Sequence, residues 1–170
     1  MNKKIFLLLA ALTMSLTSFA QFEKGKKYLS ATVSGLNVHY SGAEKWQFGI
    51  AARGGYMLAD NWLAMGIFDY SFQQNGPKSL SVGAAARYYV IQNGLYLGAG
   101  VNYSHRCASG EKINDVVPNI HIGYAFFVSK TVTIEPELYY NQSLKSHRDY
   151  SDVGFRIGIG IYLDQLFPKL

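Results

Sequence analysis

The sequence predicts an all-β protein: an eight-stranded antiparallel up-and-down transmembrane β-barrel. Three observations carry that expectation. Apolar residues return at every second position in successive segments of about ten to thirteen residues. The links between those segments alternate between short turns and longer loops. No stretch after residue 20 holds eighteen consecutive apolar residues, so helical spans are excluded. With 17 Gly and 13 Tyr, the strands would make a poor soluble core. They suit a wall with hydrocarbon on one face and a narrow interior on the other.

The first twenty residues stand apart. Lys3 and Lys4 precede an apolar run from Ile5 to Leu12 that weakens toward Leu16, and Ser18-Phe19-Ala20 places small residues at both key positions of a cleavage site. Residues 1–20 are therefore expected to be a secretory signal peptide, cut between Ala20 and Gln21, and residues 21–170 to be one barrel domain. Position 21 is not Cys, so a lipid-modified N-terminus is not expected. Without Lys3 and Lys4 the formal charge falls from +5 to +3, too small and scattered an excess to suggest nucleic acid.

Strand one is expected over Tyr28 to Tyr40, with ambiguous parity that a bulge could switch. Strand two, Lys45 to Met57, turns Trp46, Phe48, Ile50, Ala52 and Tyr56 outward and Gln47, Gly49, Ala51 and Arg53 inward. Strand three, Trp62 to Phe72, is less clean, because Leu63, Met65 and Ile67 share a face with Asp69. Strand four, Ser79 to Val90, alternates Leu80, Val82, Ala84, Ala86 and Tyr88 with Ser81, Gly83, Ala85, Arg87 and Tyr89. Strand five, Leu95 to Ser104, sets Leu97, Ala99, Val101 and Tyr103 against Tyr96, Gly98, Gly100 and Asn102. Strand six, Val117 to Val128, faces Pro118, Ile120, Ile122, Tyr124 and Phe126 outward. Strand seven, Thr131 to Gln142, opposes Val132, Ile134, Pro136, Leu138 and Tyr140 to Thr133, Glu135, Glu137, Tyr139 and Asn141. Its Pro136 lacks a ladder donor and argues for an irregularity. Strand eight, Gly154 to Leu163, shows the cleanest alternation, with Phe155, Ile157, Ile159 and Ile161 on one face.

Short turns are expected near Leu58 to Asn61, at Ile91 to Gly94 with its Asn-Gly dipeptide, and at Ser129-Lys130. The longer loops are Ser41 to Glu44, Gln73 to Lys78, His105 to Asp115 and Ser143 to Ser151. Short turns at one end and long loops at the other match a membrane barrel whose termini share the periplasmic side. Closure is required because an open edge would leave backbone groups unpaired in hydrocarbon. Trp46, Tyr56, Trp62, Tyr70, Tyr88 and Tyr103, near strand ends, suit interfacial belts.

Inward parity collects Arg53, Asp69, Arg87, Glu135, Glu137 and Arg156. Buried charges are costly unless paired, so an ion-pair network across the lumen is expected and an open diffusion pore is not. The spacing of Glu135 and Glu137 would suit a hydrolase only with a substrate cleft, and the arginines offer the simpler account. His39, His105 and His147 fall near the longer loops, and His121 falls in the lumen. Ser104-His105 and Ser146-His147 are neighbours in sequence, but adjacent strand residues point to opposite faces, so neither is a dyad. Cys107, the single cysteine, is expected to be an incidental loop residue without a convincing nearby base. No spacing of Cys107, His105 and His147 supports a metal site. No catalytic, cofactor-binding or metal-binding residue is assigned.

The stretches LSVGAAARYYV (80–90), LYLGAGVNYS (95–104), NIHIGYAFFVSKTVTIEPELYY (119–140) and GFRIGIGIYL (154–163) resemble the small outer-membrane barrels of OmpX type and the barrel domain of OmpA-type proteins, in particular those of Bacteroidetes. The resemblance implies a location in the cell outer membrane. It implies contact with outer-membrane lipids and lipopolysaccharide, and with the barrel assembly machinery during insertion. It also implies an extracellular surface partner reached through the longer loops. A structural or surface-interaction role follows, without a cofactor. No peptidoglycan-binding domain is expected. The chain departs from such proteins by running past Leu163 to Leu170 instead of ending on an aromatic residue. Two alternatives remain: a lipid-modifying enzyme, an acyl hydrolase or acyltransferase drawing on His105, His147, Ser104 and Ser143, and a soluble up-and-down barrel carrying an apolar ligand.

Overall fold

A computed structural model describes residues 22–36, 47–73, 78–90, 93–108, 111–145 and 151–164. The expected signal peptide, His39, Trp46 and His147 lie outside the described residues. The strands are β1 (Lys27–Leu36), β2 (Gln47–Ala59), β3 (Trp62–Gln73), β4 (Lys78–Tyr89), β5 (Leu95–Ala108), β6 (Glu111–Tyr124, continued by Phe126–Phe127), β7 (Val132–Asn141) and β8 (Asp152–Leu163). Each pairs antiparallel with its neighbour in sequence, β1 also pairs with β8, and β6 pairs with β7. The sheet is thus a closed eight-stranded barrel.

Register fixes its proportions. Thr131 accepts a hydrogen bond from the Tyr162 N–H, Tyr162 faces Tyr28, and the row continues through Gly55, Met65, Ala85, Gly100 and Asn119 to Asn141. One circuit therefore climbs from residue 131 to residue 141, a stagger of ten. Eight strands with that stagger tilt by about 40°. The interior is then just wide enough for side chains to fill.

The outward residues are as the alternation predicts. Ile50, Phe68, Val82, Leu97, Ile120, Ile134, Leu138, Ile157 and Ile159 are all exposed on the outer face. Trp62 packs on Tyr88 near the short-turn end, and Tyr70 and Tyr103 stand exposed toward the other. Trp62 and Tyr70 are eight residues apart on β3, about 20 Å along the barrel axis at this tilt. That spacing bounds an apolar belt of membrane dimensions. Apolar residues outside and charges inside are the reverse of a soluble carrier of apolar ligands.

Four expectations need resolution or correction. In β1, Tyr28, Ser30 and Thr32 point inward while Leu29, Ala31 and Val33 point out, and the register against β8 shifts between Val33 and Leu36. In β3 the apolar inward face is genuine: Leu63, Met65 and Ile67 are buried in the lumen core. The expected long loop from His105 to Asp115 is mostly ladder, since β5 and β6 stay paired out to Ala108 and Glu111. Strand six does not run unbroken to Val128. Its pairing with β7 lapses at Tyr124 and Ala125, opposite Pro136 and Glu135, and resumes at Phe126 without a change of register. Pro136 has no N–H to offer there, which accounts for the gap.

The turns obey local chemistry. Asn61 takes a left-handed conformation (φ 66°) between β2 and β3, which asparagine tolerates. Gly94 has φ 93°, and the Leu95 N–H donates to Asn93 Oδ1 at 2.8 Å.

Candidate functional site

The lumen is stacked in layers, and the lowest is an apolar plug. Residues 22–26 cross beneath the barrel: the Asn61 N–H donates to the Phe22 carbonyl at 2.8 Å and the Gly25 N–H to the Met57 carbonyl at 2.9 Å. Phe22 is fully buried and stacks on Tyr89 with ring centroids 3.9 Å apart. Tyr162, Phe127, Met57 and Leu63 complete the plug. Sequence reasoning missed Phe22, because it lies just past the expected leader and carries no strand periodicity.

Above the plug lies the charged layer. Glu135 accepts hydrogen bonds from Tyr28 Oη (2.6 Å), Arg87 Nη1 (2.9 Å), Thr133 Oγ1 (2.8 Å) and Tyr162 Oη (3.1 Å). Glu137 accepts from Arg53 Nη1 (3.1 Å), Arg87 Nη2 (3.0 Å), Tyr96 Oη (3.0 Å) and Arg156. Each carboxylate thus approaches the capacity of its oxygens. Arg87, with no solvent exposure, bridges both glutamates, and its guanidinium lies 3.8 Å from the centroid of the Tyr96 ring. Arg156 lies over Tyr139 at 4.6 Å. Five strands, β1, β2, β4, β7 and β8, are tied together here, and β5 joins through Tyr96. Of the six charges expected in this network, Asp69 alone makes no ion pair among the described residues.

The layer above is polar and less satisfied. Among the described residues His121 is buried with neither ring nitrogen hydrogen-bonded, and Asn119 Nδ2 and Asn102 Oδ1 are also unpartnered. Gly98 stands directly across from His121, where a Cβ would collide with the imidazole, so glycine makes room for the ring. At the far end Asp115, expected in a loop, is buried on β6, where it accepts from Ser143 Oγ and from the Lys145 N–H at 3.2 Å.

The other singled-out residues separate by face. Ser104 points inward and meets Ser79 Oγ at 3.1 Å, while His105 points outward, so no Ser104–His105 dyad forms. Among the described residues no group of three or more His, Cys, Asp or Glu side chains is gathered as a metal site. The loop placement expected for Cys107 is corrected. Cys107 belongs to strand β5, and His105 Nε2 lies 3.6 Å from its Sγ, while His105 Nδ1 lies 2.6 Å from Asn114 Oδ1.

No family model matches the chain, and no curated protein matches it. Solved structures do. The N-terminal barrel domain of Pseudomonas aeruginosa OprF superposes with a TM-score of 0.62 at 14% identity, covering 82% of this chain and 98% of that one. Neisserial surface protein A gives 0.57 at 16% identity, covering 82% and 96%. The Yersinia pestis outer membrane protein Ail, in a phospholipid nanodisc, gives 0.57 at 13% identity, covering 82% and 100%. The chain is an eight-stranded barrel of the outer-membrane type. Its apolar outer belt and charged interior give that fold its physical meaning: the outside is solvated by hydrocarbon and the inside by its own ion pairs.

Proposed function

We propose that this barrel is a closed, non-conducting component of the bacterial outer membrane with a structural or surface-interaction role. The observation that carries the reading is the charged layer above the plug. Arg53, Arg87, Arg156, Glu135 and Glu137 cross-link strands around the circumference, and the Phe22 layer lies beneath them. Opening a continuous path would strand buried charges. Outer-membrane lipid and lipopolysaccharide are the partners of the outer belt, and the assembly machinery handles the chain during insertion. The extended β5–β6 hairpin and the other loop-end segments are the surfaces for an extracellular partner. A place among Bacteroidetes proteins of OmpX type rests on the sequence stretches quoted above.

An enzyme acting on lipid would need a nucleophile and base at the bilayer edge. Ser104 faces away from His105, and Ser143 is engaged by Asp115, which favours the non-enzymatic reading. The test is electrical. Folded protein inserted into planar bilayers should leave the membrane silent at moderate voltage. Reproducible discrete openings in native protein would overturn the closed-barrel reading. Lipid hydrolysis or acyl transfer by the same sample would overturn the non-enzymatic part.

A further inference from the structure

On the loop side of the ion pairs the lumen is not filled. Arg156 points inward and keeps 12% of its side chain exposed, whereas Arg87 beneath it keeps none, so the exposure of Arg156 opens into the lumen. Asp69, Ser81 and Asn102 also point inward and are only half-buried. Glycines make this space. Gly83, Gly98 and Gly158 bring no side chain to the wall, and polar neighbours lie flat over them. A Cβ at Gly83 would collide with Asn102 Oδ1, one at Gly98 with His121 Nε2, and one at Gly158 would lie 3.0 Å from Thr32 Oγ1. Side chains laid along the wall leave the middle of the barrel open above Arg156. The same side chains lack partners. His121, Asn119 and Thr32 are 4%, 7% and 2% exposed. Both ring nitrogens of His121, Asn119 Nδ2, Asn102 Oδ1 and Thr32 Oγ1 make no hydrogen bond among the described residues. Native interiors seldom leave such atoms unbonded, because each then loses its hydration for nothing. Their mixture sets the chemistry of what would bond them. A neutral imidazole offers one donor and one acceptor, Asn119 Nδ2 only donates, Asn102 Oδ1 only accepts, and the Thr32 hydroxyl does either. An anion would be repelled by Asn102 Oδ1 and a cation by the Asn119 N–H groups. A hydroxyl oxygen both gives and takes hydrogen bonds, and so suits them all.

We propose that the lumen above Arg156 is a binding chamber for neutral hydroxyl groups, held by His121, Asn119, Asn102 and Thr32. Two sources carry that chemistry, buried water and a small polyol. Either enters from the loop end, because the Phe22 layer closes the other. Filling the chamber leaves the ion pairs beneath it in place, so a silent or a conducting bilayer decides nothing about it.

The test uses the barrel folded in lipid nanodiscs with isotope-labelled histidine, the His121 signals being assigned by their loss in His121→Phe. Rotating-frame cross-relaxation separates dipolar contact from proton exchange. It should show a long-lived water contact at the His121 ring C–H protons and none of that lifetime at His105, which points outward. Glycerol is then titrated. Loss of the water contact with a shift of the His121 signals assigns the chamber to a polyol, and persistence of the contact assigns it to water. Asn102→Leu combined with Asn119→Leu keeps side-chain size and removes two partners, so the water contact should weaken by about half or more. Thr32→Val, an isosteric change on β1, should weaken it too and serves where the double variant loses its heat-modifiable gel mobility. Native protein with neither a water contact nor a glycerol-dependent shift at His121 would overturn the chamber. A contact indifferent to the folded variants would overturn its placement among these residues.

Discussion

Replacing Glu137 with Gln is the sharpest probe of the lumen. The change keeps the shape and one acceptor oxygen but removes the charge that Arg53, Arg87 and Arg156 share. Arg87 and Arg53 are 0% and 3% exposed, so neither can turn to water for compensation. Glu135 would still pair with Arg87, but Arg53 and Arg156 would lose the carboxylate that each contacts among the described residues. The new amide would also point N–H donors at donors. Breaking a buried ion pair from one side costs about 3–5 kcal/mol, a roughly hundred- to several-thousand-fold fall in the folding equilibrium. Urea titration of protein in detergent or lipid, followed by tryptophan fluorescence and by heat-modifiable mobility, would measure it. Adding Arg156→Met to Glu137→Gln should recover part of the loss, about 1–2 kcal/mol short of additivity, because Arg156 would no longer be left without its carboxylate. A Glu137→Gln protein within about 1 kcal/mol of native would refute the view that these charges hold the strands together.

Three further outcomes follow from the same geometry. Phe22→Ala should cost about 3–5 kcal/mol in the same titration, since it empties the stacked plug over Tyr89; a loss below about 1 kcal/mol would mean that the strap beneath the barrel is dispensable. Gly123→Ala should destabilise by about 1–3 kcal/mol, because its Cβ would lie 2.7 Å from the Pro136 carbonyl oxygen, whereas Gly54→Ala, with nothing within 4 Å, should be nearly neutral; equal midpoints would contradict the packing. Spin labels at Ile157 and Ile159, in a Cys107→Ser background, should be reached by a lipid-soluble relaxing agent, and labels at Arg156 and Gly158 should not; the opposite pattern would invert the wall of the barrel.

Strand number, the short turns and the facing of most strands were legible because each follows from neighbours in sequence. A period of two needs only a few residues to declare itself, and Ile157, Ile159 and Ile161 declare it without ambiguity. The six inward charges were legible for the same reason. Strand three was hard to read because its inward face, Leu63, Met65 and Ile67, is as apolar as its outward one. A barrel that plugs one end with hydrophobic side chains breaks the simple rule of polar inside. The β5–β6 hairpin was read as a loop because Arg106, Lys112, Asn114 and Asp115 are polar on both faces. Above the membrane belt both faces of a strand meet water or polar groups, and alternation disappears while pairing continues.

Alternation along the chain was enough to decide that the strands must close on themselves, which residues meet hydrocarbon, and that the interior is charged. Those are local properties, set by the two-residue repeat and by the cost of unpaired backbone in lipid. Which charges touch was decided by the stagger of ten, as were Phe22 lying under Tyr89, Asp69 standing outside the ion pairs and Asn114 reaching the histidine beside Cys107. Stagger is a relation between strands far apart in sequence. It emerges only when the last strand meets the first and every side chain must find room in one narrow cylinder.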